Sequence, residues 1–146
     1  MNCNYELRVT NYELKRVIHL KNIVYEKSFS FAIEVLKIAK RLRSQGEYEV
    51  ASQILRSGTS IGANIAEAKY AQSSKDFISK MSIARKEANE TLYWLHLLIR
   101  ADVLPKDIVQ PLADDVLGII KILTSIIKTT MDRNDTATDK NDDKIF

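Results

Sequence analysis

The sequence predicts an all-α protein, an up-down-up-down antiparallel four-helix bundle. Three observations lead there. Apolar residues recur three and four apart along four long stretches, the spacing that lines one face of a helix. Only four glycines and two prolines punctuate the 146 residues, which favours few, long elements. The breaks between the stretches are short, as antiparallel neighbours require. Hydrophobic residues make up 45% and charged residues 28%, so one domain of ordinary size can bury a core.

Residues 4–17 carry a short duplication, N-Y-E-L-R-V-T followed by N-Y-E-L-K-R-V. Two heptads are too few for a coiled coil to stand alone. Residues 1–21 therefore read as a poorly packed N-terminal extension, ahead of a bundle spanning 22–131. Helix 1 is expected from about Ile23 to Arg43, with Ala32, Val35, Ala39 and Leu42 on one line. Phe29, Phe31, Ile33, Leu36 and Ile38 widen its apolar arc beyond one partner's need. Ser44-Gln45-Gly46 ends it, with Gly46 suited to a left-handed cap.

Helix 2 is expected from near Glu47 to about Tyr70. Its inner line is Ala51, Ile54, Gly58, Ile61, Ile65 and Ala68. Gly58 and Gly62 lie inside it, and each costs a helix about 1 kcal/mol against alanine. Two such costs four residues apart point to a close approach of backbones. Ser57, Ser60, Asn64 and Glu67 form a polar seam beside that face.

Helix 3 opens after Ser73, whose spacing to Asp76 reads as an N-cap pair. Phe77, Met81, Ala84, Ala88, Leu92, Leu95 and Ile99 line its inner face. Pro105 suits a first helical turn. Pro111 breaks the pattern of the last helix, which should start or bend there. Leu112, Val116, Ile119, Leu123, Ile126 and Thr130 form that helix's inner line. From Asp132 the apolar pattern stops, and residues 132–146 read as a disordered polar tail. Helices 1 and 4 carry more apolar surface than a monomeric bundle buries, so self-association is expected.

Catalytic constellations mostly fail. The positions three before His19 and His96 hold Arg16 and Tyr93, so neither histidine makes the Glu-x-x-His pair of di-metal bundles. The segment 58–62 lacks the Gly-Lys-Ser/Thr ending of a phosphate loop. The lone Cys3 rules out a disulfide within the chain and a cysteine metal cluster. No enzyme activity and no cofactor are expected. No apolar run nears the roughly 20 residues of a membrane span, and the first 20 residues lack a secretory h-region. A cytoplasmic location fits.

The net charge is +3, with a pI near 8.9, which permits nucleic-acid binding without demanding it. Lys37, Lys40, Arg41 and Arg43 cluster at the end of helix 1, and Lys80, Arg85 and Lys86 lie on helix 3. These seven are the candidate phosphate contacts. A basic helix end also complements the helix dipole. Trp94 and Tyr93 read as packing or interface anchors rather than base-stacking platforms.

The block S-x-x-S-I-x-x-N-I-A-E, here Ser57, Ser60, Ile61, Asn64, Ile65, Ala66 and Glu67, is specific. With K-D-F-I-S-K-M-S-I-A-R-K-E-A-N-E-T-L-Y-W-L at 75–95, it resembles the bacterial four-helix-bundle family also called 23S rRNA intervening-sequence proteins. The resemblance covers about residues 22–131. It implies a homopentamer arranged as a ring or tapered barrel. Related accessory variability determinants of diversity-generating retroelements imply a basic pentamer that binds nucleic acid and a reverse transcriptase. Two functions follow as expectations. One is a non-enzymatic oligomer that binds RNA or DNA through a basic surface. The other is a protein-interaction scaffold, for example an accessory subunit of a nucleic-acid enzyme.

Overall fold

The computed structural model describes the backbone of residues 3–142, with side chains over 11–136. Four helices and no strand occur among them: α1 (Cys3–Ser44), α2 (Tyr48–Ala68), α3 (Ser74–Arg100) and α4 (Lys106–Asp142). Each helix packs against two others. α1 packs along α2 and α4, and α3 along α2 and α4, while the backbones of α1 and α3, and of α2 and α4, do not adjoin among the described residues. One core runs through the middle of that square, with Leu42, Ile54, Ile61, Met81, Leu95 and Leu123 among its fully buried side chains.

Local chemistry sets the helix ends. Gly46 adopts φ 84°. The Glu47 amide donates to the Leu42 carbonyl and the Gly46 amide to that of Arg43. This is the paired closure that a left-handed residue allows at a helix C-terminus. α3 ends the same way, with Asp102 (φ 53°) where glycine is commoner, and with Val103 donating to Leu98 and Asp102 to Ile99. At the start of α3 the Ser73 hydroxyl accepts from the Asp76 amide at 3.1 Å, the expected cap.

Three expectations about element ends change. α1 does not begin near Ile23 but runs unbroken from Cys3, through the duplicated segment, and burial along it is already complete at Val17. α4 begins at Lys106, beside Pro105, which excludes one of the two readings of Pro111, that the helix starts there. Pro111 sits exposed in the second turn, so the lost hydrogen bond falls on the Asp107 carbonyl near the helix start. The expected disordered tail is corrected over 132–142, which continues α4. No glycine or proline follows Gly118, and extending an existing helix costs far less than starting one. Residues 143–146 lie outside the described residues.

The α2 face is buried as its spacing predicts, with Ala51, Ile54, Gly58, Ile61, Ile65 and Ala68 all in the interior. Gly58 lies against Val35 of α1. A Cβ at Gly58 would come within 2.8 and 2.9 Å of the two Val35 methyls. At Gly62 it would come within 3.3 Å of the Ser28 hydroxyl. Ser28 is itself fully buried and donates to the Tyr25 carbonyl at 2.8 Å. The opposite flank of α2 meets α3 through two buried hydroxyls, Ser57 and Thr91, 2.9 Å apart. Thr91 Oγ1 also lies 2.8 Å from the Glu87 carbonyl. Each hydroxyl has one proton, so Thr91 donates to the carbonyl and Ser57 donates to Thr91.

On α1, the apolar surplus divides. Phe31 and Ile38 join the core, whereas Phe29, Ile33 and Leu36 stay exposed, at 58%, 47% and 44%. On α4, Ile127 is buried and Leu117 is exposed.

Two glycine substitutions should move stability in opposite directions. Gly58→Ala removes a helix cost of about 1 kcal/mol but adds overpacking of about 1–3 kcal/mol against stiff Val35. Thermal or urea unfolding should show a net loss. Gly118→Ala meets nothing within 4 Å and should gain about 0.5–1 kcal/mol. The buried hydroxyl pair gives a second expectation. Thr91→Val should cost about 1–3 kcal/mol by stranding the Ser57 hydroxyl. Adding Ser57→Ala should recover part of that loss, which a double-mutant cycle reads directly.

Candidate nucleic-acid interface

The last turns of α1 present the first group of candidate bases. Lys37, Lys40 and Arg41 are spaced three and four apart, so they share one face of the helix. All three are exposed. Lys37 is bound to Glu34, one turn earlier, at 2.7 Å. Lys40 and Arg41 have no ion pair among the described residues. Arg43 points toward α2, where its guanidinium donates to the Ser52 hydroxyl at 3.4 Å. Ser44 donates to the Arg41 carbonyl at 2.6 Å, taking up one of the free carbonyls at this helix end. The remaining carbonyl dipoles favour positive charge here, so the cluster also stabilises its own helix.

The α3 bases stand differently. Lys80 is bound to Glu67 of α2 at 2.7 Å. That hydrogen bond, and then the carboxylate charge, raise the Lys80 pKa. Arg85 is half-buried, and Lys86 is exposed. α1 and α3 lie diagonally across the bundle, so the seven candidates form two separate groups rather than one patch.

The polar seam read from the sequence is a packing seam between α2 and α3. Ser57 meets Thr91, and Glu67 takes Lys80. Asn64 donates to the Ser60 carbonyl within its own helix at 2.8 Å. Ile61 and Ile65 fill the core, while Gly58 and Gly62 admit α1. Ala66 is half-buried on the α1 side, beside Gly62 and Ala63.

Sequence reasoning missed Arg56. Its guanidinium bridges Glu87 at 3.2 Å and also binds Glu90, both on α3. The Glu90 carboxyl is held below its usual range, chiefly by the Arg56 hydrogen bond, with the Trp94 indole donating at 3.4 Å and Lys86 adding charge. Partners 31 and 34 positions away leave no periodic trace in the sequence. Among the described residues, carboxylates thus match Lys80 of α3 and Arg56 of α2, and Lys37 at the α1 end, while Lys40 and Arg41 have no such partner.

Other candidates carry less. His19 and His96 are both exposed. The Tyr93 and Trp94 rings meet edge to face at 5.1 Å, with Tyr93 60% exposed. No cluster of three or more His, Cys, Asp or Glu able to hold a metal occurs among the described residues. No helix among them is long and apolar enough to cross a membrane.

Comparison with known proteins places this geometry. The family model for the 23S rRNA-intervening sequence protein matches residues 20–125. A crystal structure from Bacteroides thetaiotaomicron, described as a protein with unknown function from the S23 ribosomal protein family, is 50% identical. It superposes with a TM-score of 0.72, covering 75% of this chain and 98% of its own. Comparison with curated proteins gave no match. With the match extending from within α1 to the middle of α4, the chain belongs to the 23S rRNA-intervening sequence protein family.

Proposed function

We propose that this protein is a non-enzymatic, cytoplasmic oligomer that binds RNA or DNA through the basic end of α1. The observation that carries the reading is the state of Lys40 and Arg41. They lie exposed on one helix face without a carboxylate partner among the described residues, whereas Lys80 is engaged by Glu67. Lys37 and Arg43 flank them and extend the patch. Binding of this kind is led by charge and shape, because phosphate contacts position a strand without reading its bases.

The same reading has the helices run up-down-up-down and the chains assemble as a homopentamer. Pairs across the α2–α3 seam support the antiparallel course: Arg56 with Glu90, Ser57 with Thr91 and Glu67 with Lys80. As the position rises on α2, it falls on α3. Exposed Phe29, Ile33 and Leu36 on α1 offer an apolar surface for self-association. Assembly repeats the basic patch, and phosphate affinity rises steeply with the number of contacts.

The test is binding to labelled structured RNA and to duplex DNA across a salt series, with the oligomer mass measured on the same sample. The logarithm of affinity should fall linearly with that of salt. Lys40→Gln with Arg41→Gln should weaken binding about tenfold or more at low salt and flatten the slope by about 1–2. Lys80→Gln should change it little. An intact oligomer that binds neither nucleic acid at low salt would contradict the reading and favour a protein-interaction scaffold.

A further inference from the structure

A second cationic site lies where all four helices come together, away from the basic end of α1. A cavity of about 490 Å³ opens there, and Lys21 of α1, Lys69 at the end of α2, and Arg133 of α4 line it. Ser73 and Ser74 at the start of α3 complete its polar rim. Among the described residues, no carboxylate lines it. This contrasts with the α2–α3 seam, where lysine and arginine meet glutamate.

The lysines are held by rings instead of acids. The Lys21 ammonium sits 4.1 Å from the centre of the Phe77 ring, and the Lys69 ammonium 4.1 Å from that of Tyr25. Such contacts fix a cation without neutralising it. Burial, and then the nearby Arg133 charge, lower the Lys21 pKa. Lys21 is thus partly buried beside a like charge, with Lys69 and Arg133 exposed at the rim, an arrangement that an anion would relieve. The nearest acids among the described residues are otherwise placed. Asp76 accepts from the Gln72 amide at 3.2 Å. Glu67 holds Lys80. Asp132 and Asp135 flank Arg133 on exposed faces and do not line the cavity. The Ser73 cap uses the Asp76 amide and leaves those of Ser74 and Lys75 outside the helix's own hydrogen bonds.

We infer that this cavity binds the phosphate of a phosphomonoester, held by Lys21, Lys69 and Arg133. Arginine grips phosphate through two parallel N–H bonds, and the lysines add point charges. The apolar lining from Val17, Ala68 and Phe77 leaves room for a group attached to the phosphate. The attached group has two chemical sources, a small phosphorylated metabolite or the 5′ end of a nucleic-acid strand.

Calorimetric titration of the full chain with inorganic phosphate tests the site, followed by a nucleoside 5′-monophosphate. One saturable site per chain is expected. Lys21→Met keeps an apolar stem on Phe77, and Arg133→Gln keeps a polar one. Each should weaken phosphate binding about tenfold or more. Neither should lower the melting temperature in phosphate-free buffer, since each relieves like-charge repulsion. Lys40→Gln with Arg41→Gln should leave the phosphate constant unchanged, so failure here and failure of the α1 interface are separable. A single-stranded oligonucleotide with a 5′ phosphate, compared with its 5′-hydroxyl twin, separates the sources. Tighter binding of the phosphorylated strand assigns the site to a strand end. Equal binding of the two strands, with the nucleoside monophosphate retained, assigns it to a free metabolite. Absence of saturable phosphate binding, or unchanged binding in both single variants, overturns the inference.

Discussion

The approach of α2 to α1 at Gly58 is the constraint on which the bundle depends. With Val35 methyls where a Cβ would stand, α2 can lie this close only if position 58 has no side chain. That closeness lets Ile54, Ile61 and Ile65 reach the shared core. It also turns the other flank of α2 toward α3, where Ser57 and Thr91 pair out of water and Arg56 and Glu67 find partners at the surface. One small-residue face and one polar flank thus fix both neighbours of α2. Most of the specific block of the sequence is accounted for by packing.

Function then has to be sought in what the packing leaves unmatched. Charge bookkeeping across the surface separates the basic residues by their partners. On α3 and its seam, carboxylates hold Lys80 and Arg56. At the end of α1, Lys40 and Arg41 face solvent without such partners. Net charge alone could not make that distinction, because +3 over the whole chain averages matched and unmatched groups. The apolar residues exposed on α1 belong to the same account. Phe29, Ile33 and Leu36 are well placed by helical spacing for a partner surface, yet α2 and α4 do not cover them.

Much of the fold was legible in the sequence, and the reasons are local. The α2 inner line followed from its three-and-four spacing, and the closeness of α1 from the cost of interior glycines. Gly46 and Ser73 were readable as helix punctuation because their roles involve residues three to five away. Less legible were features set by tertiary register. Arg56 finds Glu87 and Glu90 only once α2 and α3 are aligned, and Ser28 is buried only because Gly62 lies above it. Polar composition misled over 132–142, since a lack of apolar residues stops a core but does not stop a helix that is already running. The seven candidate bases were identifiable by charge, but their division into two groups needed the arrangement of helices, because α1 and α3 stand diagonally across the bundle.

The central claim is that unmatched lysine at the end of α1, and not the paired lysine of the α2–α3 seam, meets nucleic acid. Lysine footprinting by acetylation and mass spectrometry, with and without structured RNA, tests it most directly. The account predicts that RNA protects Lys40, and Lys37 beside it, while modification of Lys80 is unchanged. Protection of Lys80 with Lys40 modified freely would contradict it and move the interface to α3.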